Sequence, residues 1–415
     1  MARICLLSPG QPSVDPRLVK EADALHEAGH EVQVLCAHMI PWADAADREL
    51  LQARFWTCTF VGGDSDGRGT EYWRTRLRHG LARRLPLAWP LSDRLRRYAV
   101  CRVLPELARE AMRARADLYI AHYTGALVAA ADAARANCAL FGFDAEDFET
   151  GSYELVAGPS PMDRLLERFE RHYLPRSAYM TAASPGIAEA YKAKYGVPLP
   201  ATILNVFPLA ERPGELRAMP PNGPLRLYWF SQTIGLGRGL EDVVQAMGQL
   251  KGCNIELHVR GRWAPGHDTI LFELAASSGI SSQQIIVYSP GAPDQMVRLA
   301  AEYDVGLALE QPVSQNRQIC LANKIFAYLL AGNAVIATAT RGQQLIMETI
   351  GDAGFSYEPG DVSALARGLR LWYENKNILQ QVRQKSWDWG TRRFNWDLEK
   401  KKLVRQVEAV LYDGR

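Results

Sequence analysis

The chain has 415 residues, of which 47% are hydrophobic and 23% charged. At roughly 100–200 residues per domain, that length predicts two or three domains, and the composition excludes disorder, collagen and a small disulfide scaffold. Lys plus Arg total 48 and Asp plus Glu 46, a net charge of +2, so no global nucleic-acid footprint is present. The seven cysteines are scattered and never in a C-x-x-C spacing, which argues against a disulfide framework or a thiolate zinc site and for a reducing compartment. No apolar run approaches the roughly 18 residues of a membrane span. The start, MARICLLSPG, is too short in apolar residues for a signal-peptide core and reads as a strand. The expected location is cytoplasmic.

In chain order, residues 3–7 form an apolar strand ending at Ser8-Pro9-Gly10, and a helical pattern covers 16–29, stopping at Gly29. The alternating run 31–37 completes a βαβ unit, which implies a parallel sheet. The pattern recurs: strand 117–121, helix 125–136, strand 138–143, helix 161–173, strand 178–182, helix 185–194 and strand 201–205. Between Phe207 and Pro224 stand five prolines and two glycines, which cannot continue a helix or central strand and read as a linker, 208–224. A second series follows: strand 225–230, helix 240–250, strand 255–259, helix 268–278, strand 284–287, helix 293–301, strand 304–309, helix 322–331, strand 333–337 and helix 361–374. The fold class is therefore α/β, with two Rossmann-like domains facing across a cleft, 1–207 and 225–385. The tryptophan-rich stretch 386–415 is expected to be a helix crossing back to the first domain.

Four features could carry chemistry. Gly235, Gly237 and Gly239 lie at a strand-to-helix turn with Arg238, and a helix N-terminus with an arginine suits a diphosphate. Near 323 a polar loop enters an apolar helix. Asn323 reads equally as an ordinary helix cap, whereas Lys324 is unfavourable against the helix dipole unless an anion is bound there. Asp144, Glu146 and Asp147 follow a strand in the first domain, where carboxylates can bind sugar hydroxyls or act as a base; a solvated acidic loop is the competing reading. His122 is the histidine best placed for the same end of the sheet. Residues 71–98 hold eight arginines against two acids, interleaved with Trp73, Leu77, Leu81, Leu85, Leu87, Trp89, Leu91 and Leu95. That pattern suits either an anionic membrane surface or a solvated helix face.

The segments DPRLVKEADALHEAGHEVQVL at 15–35, FDAEDFE at 143–149, ILNVFP at 203–208, GLGRGLEDVVQAM at 235–247 and NKIFAYLLAGNAVIAT at 323–338 occur in order. Together they resemble the GT-B glycosyltransferases of family four, which transfer sugars from nucleotide-sugars with retention. The resemblance implies an acceptor-binding first domain and a donor-binding second domain, with the NDP-sugar a substrate, no cofactor and no metal. It implies catalytic roles for Arg238, Lys324, Glu146 and Asp144. Donor contacts would come from Gly10, Ser231, Gln232, Thr233, Gly237, Arg260, Glu310, Arg317 and Asn323, and acceptor contacts from Asp15, His122 and Asp147. The acceptor is a hydroxyl compound, with a lipid-linked one and a peripheral site at the inner membrane face among the expectations. Two departures stand out. The family's paired glutamates fall on Ile319 and Ala327, leaving Glu310 to share in holding the ribose, and Glu146 replaces a histidine. These leave a non-catalytic binding or scaffold subunit, or a GT-B-fold UDP-sugar epimerase, as alternatives.

Overall fold

The computed structural model describes the chain except residues 39, 65–68, 86–92, 221 and 414–415. Leu87, Trp89 and Leu91 of the basic stretch thus lie outside the described residues. The chain divides into two compact units, Met1–Ile203 with Lys400–Arg415, and Leu204–Glu399. The proline-rich 208–224 segment falls inside the second unit, and the C-terminal stretch is divided at Glu399 and Lys400.

Among the described residues, the first unit holds a seven-stranded sheet of order β3-β2-β1-β4-β5-β6-β7. Its strands are β1 (Arg3–Leu7), β2 (Glu31–Ala37), β3 (Thr57–Val61), β4 (Leu118–His122), β5 (Leu140–Ala145), β6 (Tyr179–Ala182) and β7 (Ala201–Thr202). Every pair is parallel. β4 is buried along its whole length, as expected of a strand covered by helices on both faces. The second unit holds a six-stranded sheet of order β10-β9-β8-β11-β12-β13. It consists of β8 (Leu225–Ile234), β9 (Ile255–Trp263), β10 (Ile285–Tyr288), β11 (Val305–Ala308), β12 (Ala334–Thr338) and β13 (Gly354–Tyr357). Its core is built from strand residues such as Leu227, Trp229, Val259, Leu307 and Ile336, with helical Leu365 and Trp372 packed on them.

Strand order reverses between β1 and β4 in the first sheet and between β8 and β11 in the second. In open parallel sheets such switch points, at the carboxyl ends of the strands, are where ligands bind. The glycine turn follows β8 and Glu310 follows β11, while Ser8–Gly10 follow β1 and His122 ends β4.

Some local expectations differ from the structure. β8 runs on to Ile234, past the expected end at 230, with a register irregularity between Phe230 and Thr233; Ser231, Gln232 and Thr233 therefore lie on a bulged strand end. The expected helix 293–301 is a 3-10 turn, Pro293–Gln295, followed by the short helix Met296–Ala300. The expected strand 201–205 pairs only over Ala201–Thr202. The C-terminal helix Trp396–Glu408 buries Leu403 and Val407, with Leu411 beyond its end, and Lys400 Nζ donates to Glu27 at 2.7 Å within the first unit. Among the described residues, no helix is long and apolar enough to cross a membrane.

Candidate functional site

In the second unit, Glu310 leaves the carboxyl end of β11 and is nearly buried, 9% exposed. Lys324 Nζ donates to its Oε1 at 3.1 Å, and Arg317 Nη1 donates to its Oε2. Burial alone would raise the Glu310 carboxyl, but the charges of Lys324 and Arg317 hold it down at about 2. Lys324 is itself buried, with Nζ 5.7 Å from the centre of the Trp229 ring.

The turn after β8 brings a third cation to this cluster. Burial and the neighbouring charge of Arg317 lower the Arg238 guanidinium, while Glu310 opposes that shift. Two cations thus hold one carboxylate and a third lies within its electrostatic reach, a local excess of positive charge in a place where charge is costly to bury. An anion at this end of the sheet would relieve it. Gly239 makes the turn possible. Its φ is +78°, and a Cβ there would lie 2.6 Å from Leu309 Cβ and 2.9 Å from the Leu309 carbonyl, which locks the turn against the end of β11. The helix Leu240–Gln249 starts at once beyond it.

Other expected donor residues take different places. Asn323 is the first helical residue; Ala322 occupies the cap position without a side-chain bond, and Asn323 is exposed. The expected cap reading of Asn323 is therefore wrong. Gly237 N–H is not open to a phosphate, because it donates to Glu241 Oε1 at 2.6 Å. Arg260 is anchored, donating to Tyr228 Oη at 3.0 Å and the Ser289 carbonyl at 2.8 Å. Gln232 and Thr233 are exposed and Ser231 half-buried. Ala327 is fully buried and Ile319 nearly so, so both of the family's glutamate positions are apolar and enclosed. Glu310 does not stand in for them with a free carboxylate, since both its oxygens are held by cations.

In the first unit, Asp144 lies in the buried run of β5, one residue from its end, and receives a bidentate pair from Arg17, Nε at 2.6 Å and Nη2 at 2.7 Å. Thr181 Oγ1 donates to it at 2.5 Å. Burial would raise this carboxyl, but Arg17 holds it well below the usual range. Asp144 is 2% exposed; the competing reading of a solvated acidic loop gives way here to a buried ion pair. His122 Nε2 lies 2.7 Å from Glu21 Oε2, and Nδ1 lies 3.5 Å from Asp144 Oδ2. Burial opposes the imidazolium, yet the bond to and charge of Glu21, then the charge of Asp144, raise it to about 9. Glu21, His122 and Asp144 bring their ligand atoms within 4.8 Å of one another. Because Arg17 already occupies both oxygens of Asp144, the group reads as an ion-pair network and fits a metal poorly. Asp15 is likewise internal: it caps the helix Pro16–Glu27 by accepting from Leu18 N–H and receives the Ser8 hydroxyl at 3.0 Å. Gly10 N–H donates to Ser8 Oγ at 3.1 Å.

Glu146 and Asp147 remain nearer the surface, half-buried and exposed respectively. Burial, then the charges of Asp15 and Asp147, push the Glu146 carboxyl up to about 8, so it carries a proton at neutral pH. Tyr123 Oη donates to it at 3.5 Å, and Tyr123 itself sits at φ +68°, a strained backbone for an aromatic residue beside the switch point.

Sequence reasoning missed Arg17, Glu21 and Tyr123. Arg17 and Glu21 were legible in principle: four residues apart, they share a helix face with Leu18, Ala22 and Leu25, and charges on an apolar face mark a buried network. Tyr123 gave no such signal.

The family model Glycosyltransferase Family 4 matches residues 17–205. No curated protein matches the chain. Among solved structures, the chain is similar to HepE from Anabaena in complex with UDP-glucose, with TM-score 0.70, 15% identity and coverage of 99% of this chain and 100% of that one. It is similar to sucrose-phosphate synthase from Thermosynechococcus elongatus, with TM-score 0.72, 15% identity and 100% of both chains covered. A glycosyltransferase from Rickettsia africae matches with TM-score 0.69, 15% identity and 99% of each chain covered. At such identities the likeness is one of fold, and that fold is GT-B.

Proposed function

We propose that this glycosyltransferase moves a sugar from a uridine diphosphate sugar to a hydroxyl acceptor with retention, the second unit holding the donor and the first the acceptor. The observation that carries the reading is the cluster of Arg238, Arg317 and Lys324 around the single carboxylate of Glu310. When the bond between sugar and diphosphate breaks, negative charge develops on the leaving phosphate. Preorganised cations aimed at that charge stabilise the transition state more than the ground state. The same cations do the neutralising that a metal ion does in other phosphoryl sites, so the reading requires none. The leaving phosphate oxygen takes the proton of the attacking hydroxyl, which leaves no step needing a separate base.

The uridine diphosphate assignment is supported by the fold-similar HepE, whose structure holds UDP-glucose. On the acceptor side, protonated Glu146 can donate a hydrogen bond to a sugar oxygen, and Asp147 can accept one. A cytoplasmic setting is supported by the cysteines, all of which are free. Calorimetric titration with UDP-glucose and other UDP-sugars tests the reading: binding that Lys324→Ala weakens is expected. Absence of binding by every nucleotide-sugar would overturn it in favour of a non-catalytic subunit. Sugar interconversion without any acceptor would point to an epimerase.

A further inference from the structure

We propose that His267 is a positioning residue for the donor: its imidazole clasps the glycine turn that carries Arg238 and so keeps that guanidinium in place for the diphosphate. The inference deepens the donor reading above and rests on it. Three of the five residues from Gly235 to Gly239 are glycine, the residue type with the most backbone freedom to lose on ordering. A cation carried on such a turn stabilises developing charge well only if the turn is held beforehand, because the gain comes from preorganisation. The rigidity has to come from outside the glycines.

His267 supplies it where the turn begins. The Leu236 N–H donates to His267 Nδ1 at 3.0 Å. A backbone amide can only donate, so Nδ1 is the unprotonated nitrogen and the ring acts as an acceptor. A Cβ at Gly235 would stand 3.1 Å from the same nitrogen; glycine there is what lets the strand end approach the ring. The ring is itself anchored. His267 is half-buried and opens the helix His267–Ser277. Its own N–H donates to the Ala264 carbonyl at 3.1 Å, and the Ala264 N–H donates to the Ile234 carbonyl at 2.8 Å. The segment after β9 is thereby tied to the end of β8, which already pairs with β9 at Ile234 and Trp263. Where the turn ends, Glu241 holds the Gly237 N–H and Gly239 packs against Leu309. Arg238 therefore stands between two pinned points. The pin at Leu236 reaches the turn from a different strand-to-helix connection, and it depends on one nitrogen atom.

Two variants separate the bond from the bulk of the ring. His267→Leu keeps a side chain of similar size and removes the acceptor, whereas His267→Asn keeps an acceptor oxygen at short reach. The position is half-buried at a helix start, so neither change touches the core. Calorimetric titration with UDP-glucose is expected to show at least a tenfold loss of affinity in His267→Leu and less than about a threefold change in His267→Asn. Hydrogen exchange of the segment 233–240, measured without donor, should be faster in His267→Leu and near wild type in His267→Asn, because an amide without its partner opens more readily. Full UDP-glucose affinity in His267→Leu overturns the proposal. A loss in His267→Asn as large as in His267→Leu also overturns it, by assigning the effect to packing of the ring. Wild-type protein that binds no nucleotide-sugar overturns the donor reading instead, and the exchange comparison then still decides whether the clasp exists.

Discussion

Lys324 stands in the first turn of its helix, where the backbone dipole repels a cation, and it is buried against Glu310, which Arg317 also holds. A side chain held against both penalties is what the proposed diphosphate contact requires. Lys324→Ala and Arg238→Ala should each lower turnover at least a hundredfold, in keeping with the loss of a preorganised charge from a transition state. Steady-state kinetics with UDP-glucose and an acceptor give the comparison, and near-wild-type rates in both would refute the phosphate assignment. Glu146 offers a second test through pH. Its carboxyl, raised to about 8 by burial and by Asp15 and Asp147 against the opposing charge of Arg17, is protonated at pH 7 and ionises as pH rises through 8. If the protonated form binds the sugar, kcat/KM falls above pH 8, and Glu146→Gln keeps activity while losing that alkaline limb. A limb unchanged in the glutamine variant would assign the ionisation elsewhere, for instance to Glu149, raised to about 8 by burial and Glu170.

At the scale of elements, the glycine turn is fixed by contact with the neighbouring strand end. Gly239→Ala introduces both a left-handed strain of about 1–2 kcal/mol and a clash with Leu309. We expect UDP-glucose affinity to drop at least tenfold with a modest fall in melting temperature. The helix Asn323–Ala331 gives the opposite case. Ala327→Glu would bury a carboxylate with no partner, costing several kcal/mol, so loss of folded protein is expected. A soluble variant with tighter UDP-glucose binding would instead show that the ribose is read from that position.

Elements with strong apolar periodicity were legible: β1, β2 and the helix Pro161–Tyr173 fall on their expected residues. The edge strands β3 and β13 were not, being short and half-exposed, so neither a buried run nor a clean alternation marks them. The site was legible in part. Lys324 carried a signal in charge and position, whereas the joining of Glu310 to it and to Arg317 depends on how β11 and the following helices fold together. The Arg17–Asp144 pair spans 127 residues, a separation that local pattern cannot bridge.

For the molecule as a whole, the buried charges set a pH window. Glu310 is held at about 2 against an ordinary 4.5, so its contribution is present above 4.5 and lost as pH falls toward 2. His122 is raised from 6.5 to about 9; its contribution is complete below 6.5 and disappears as pH rises through 9. Glu146 and Glu149, both raised to about 8, also make the fold less stable between 4.5 and 8 as pH increases. The melting temperature should therefore be higher at pH 6 than at pH 9, and should fall again below about 4; a flat profile in differential scanning calorimetry would contradict this. Arg17→Met, which strands the buried Asp144 carboxylate, should cost about 3–5 kcal/mol by denaturant titration.

The first unit is assembled from two separated pieces of chain, Met1–Ile203 and Lys400–Arg415, whereas Leu204–Glu399 is continuous. During synthesis the later-made unit can therefore close on itself while the earlier-made one still waits. Until the segment bearing Leu403, Val407 and Leu411 leaves the ribosome, their apolar counterparts in the first unit stay uncovered. The half of the molecule that is translated first is the half that finishes folding last.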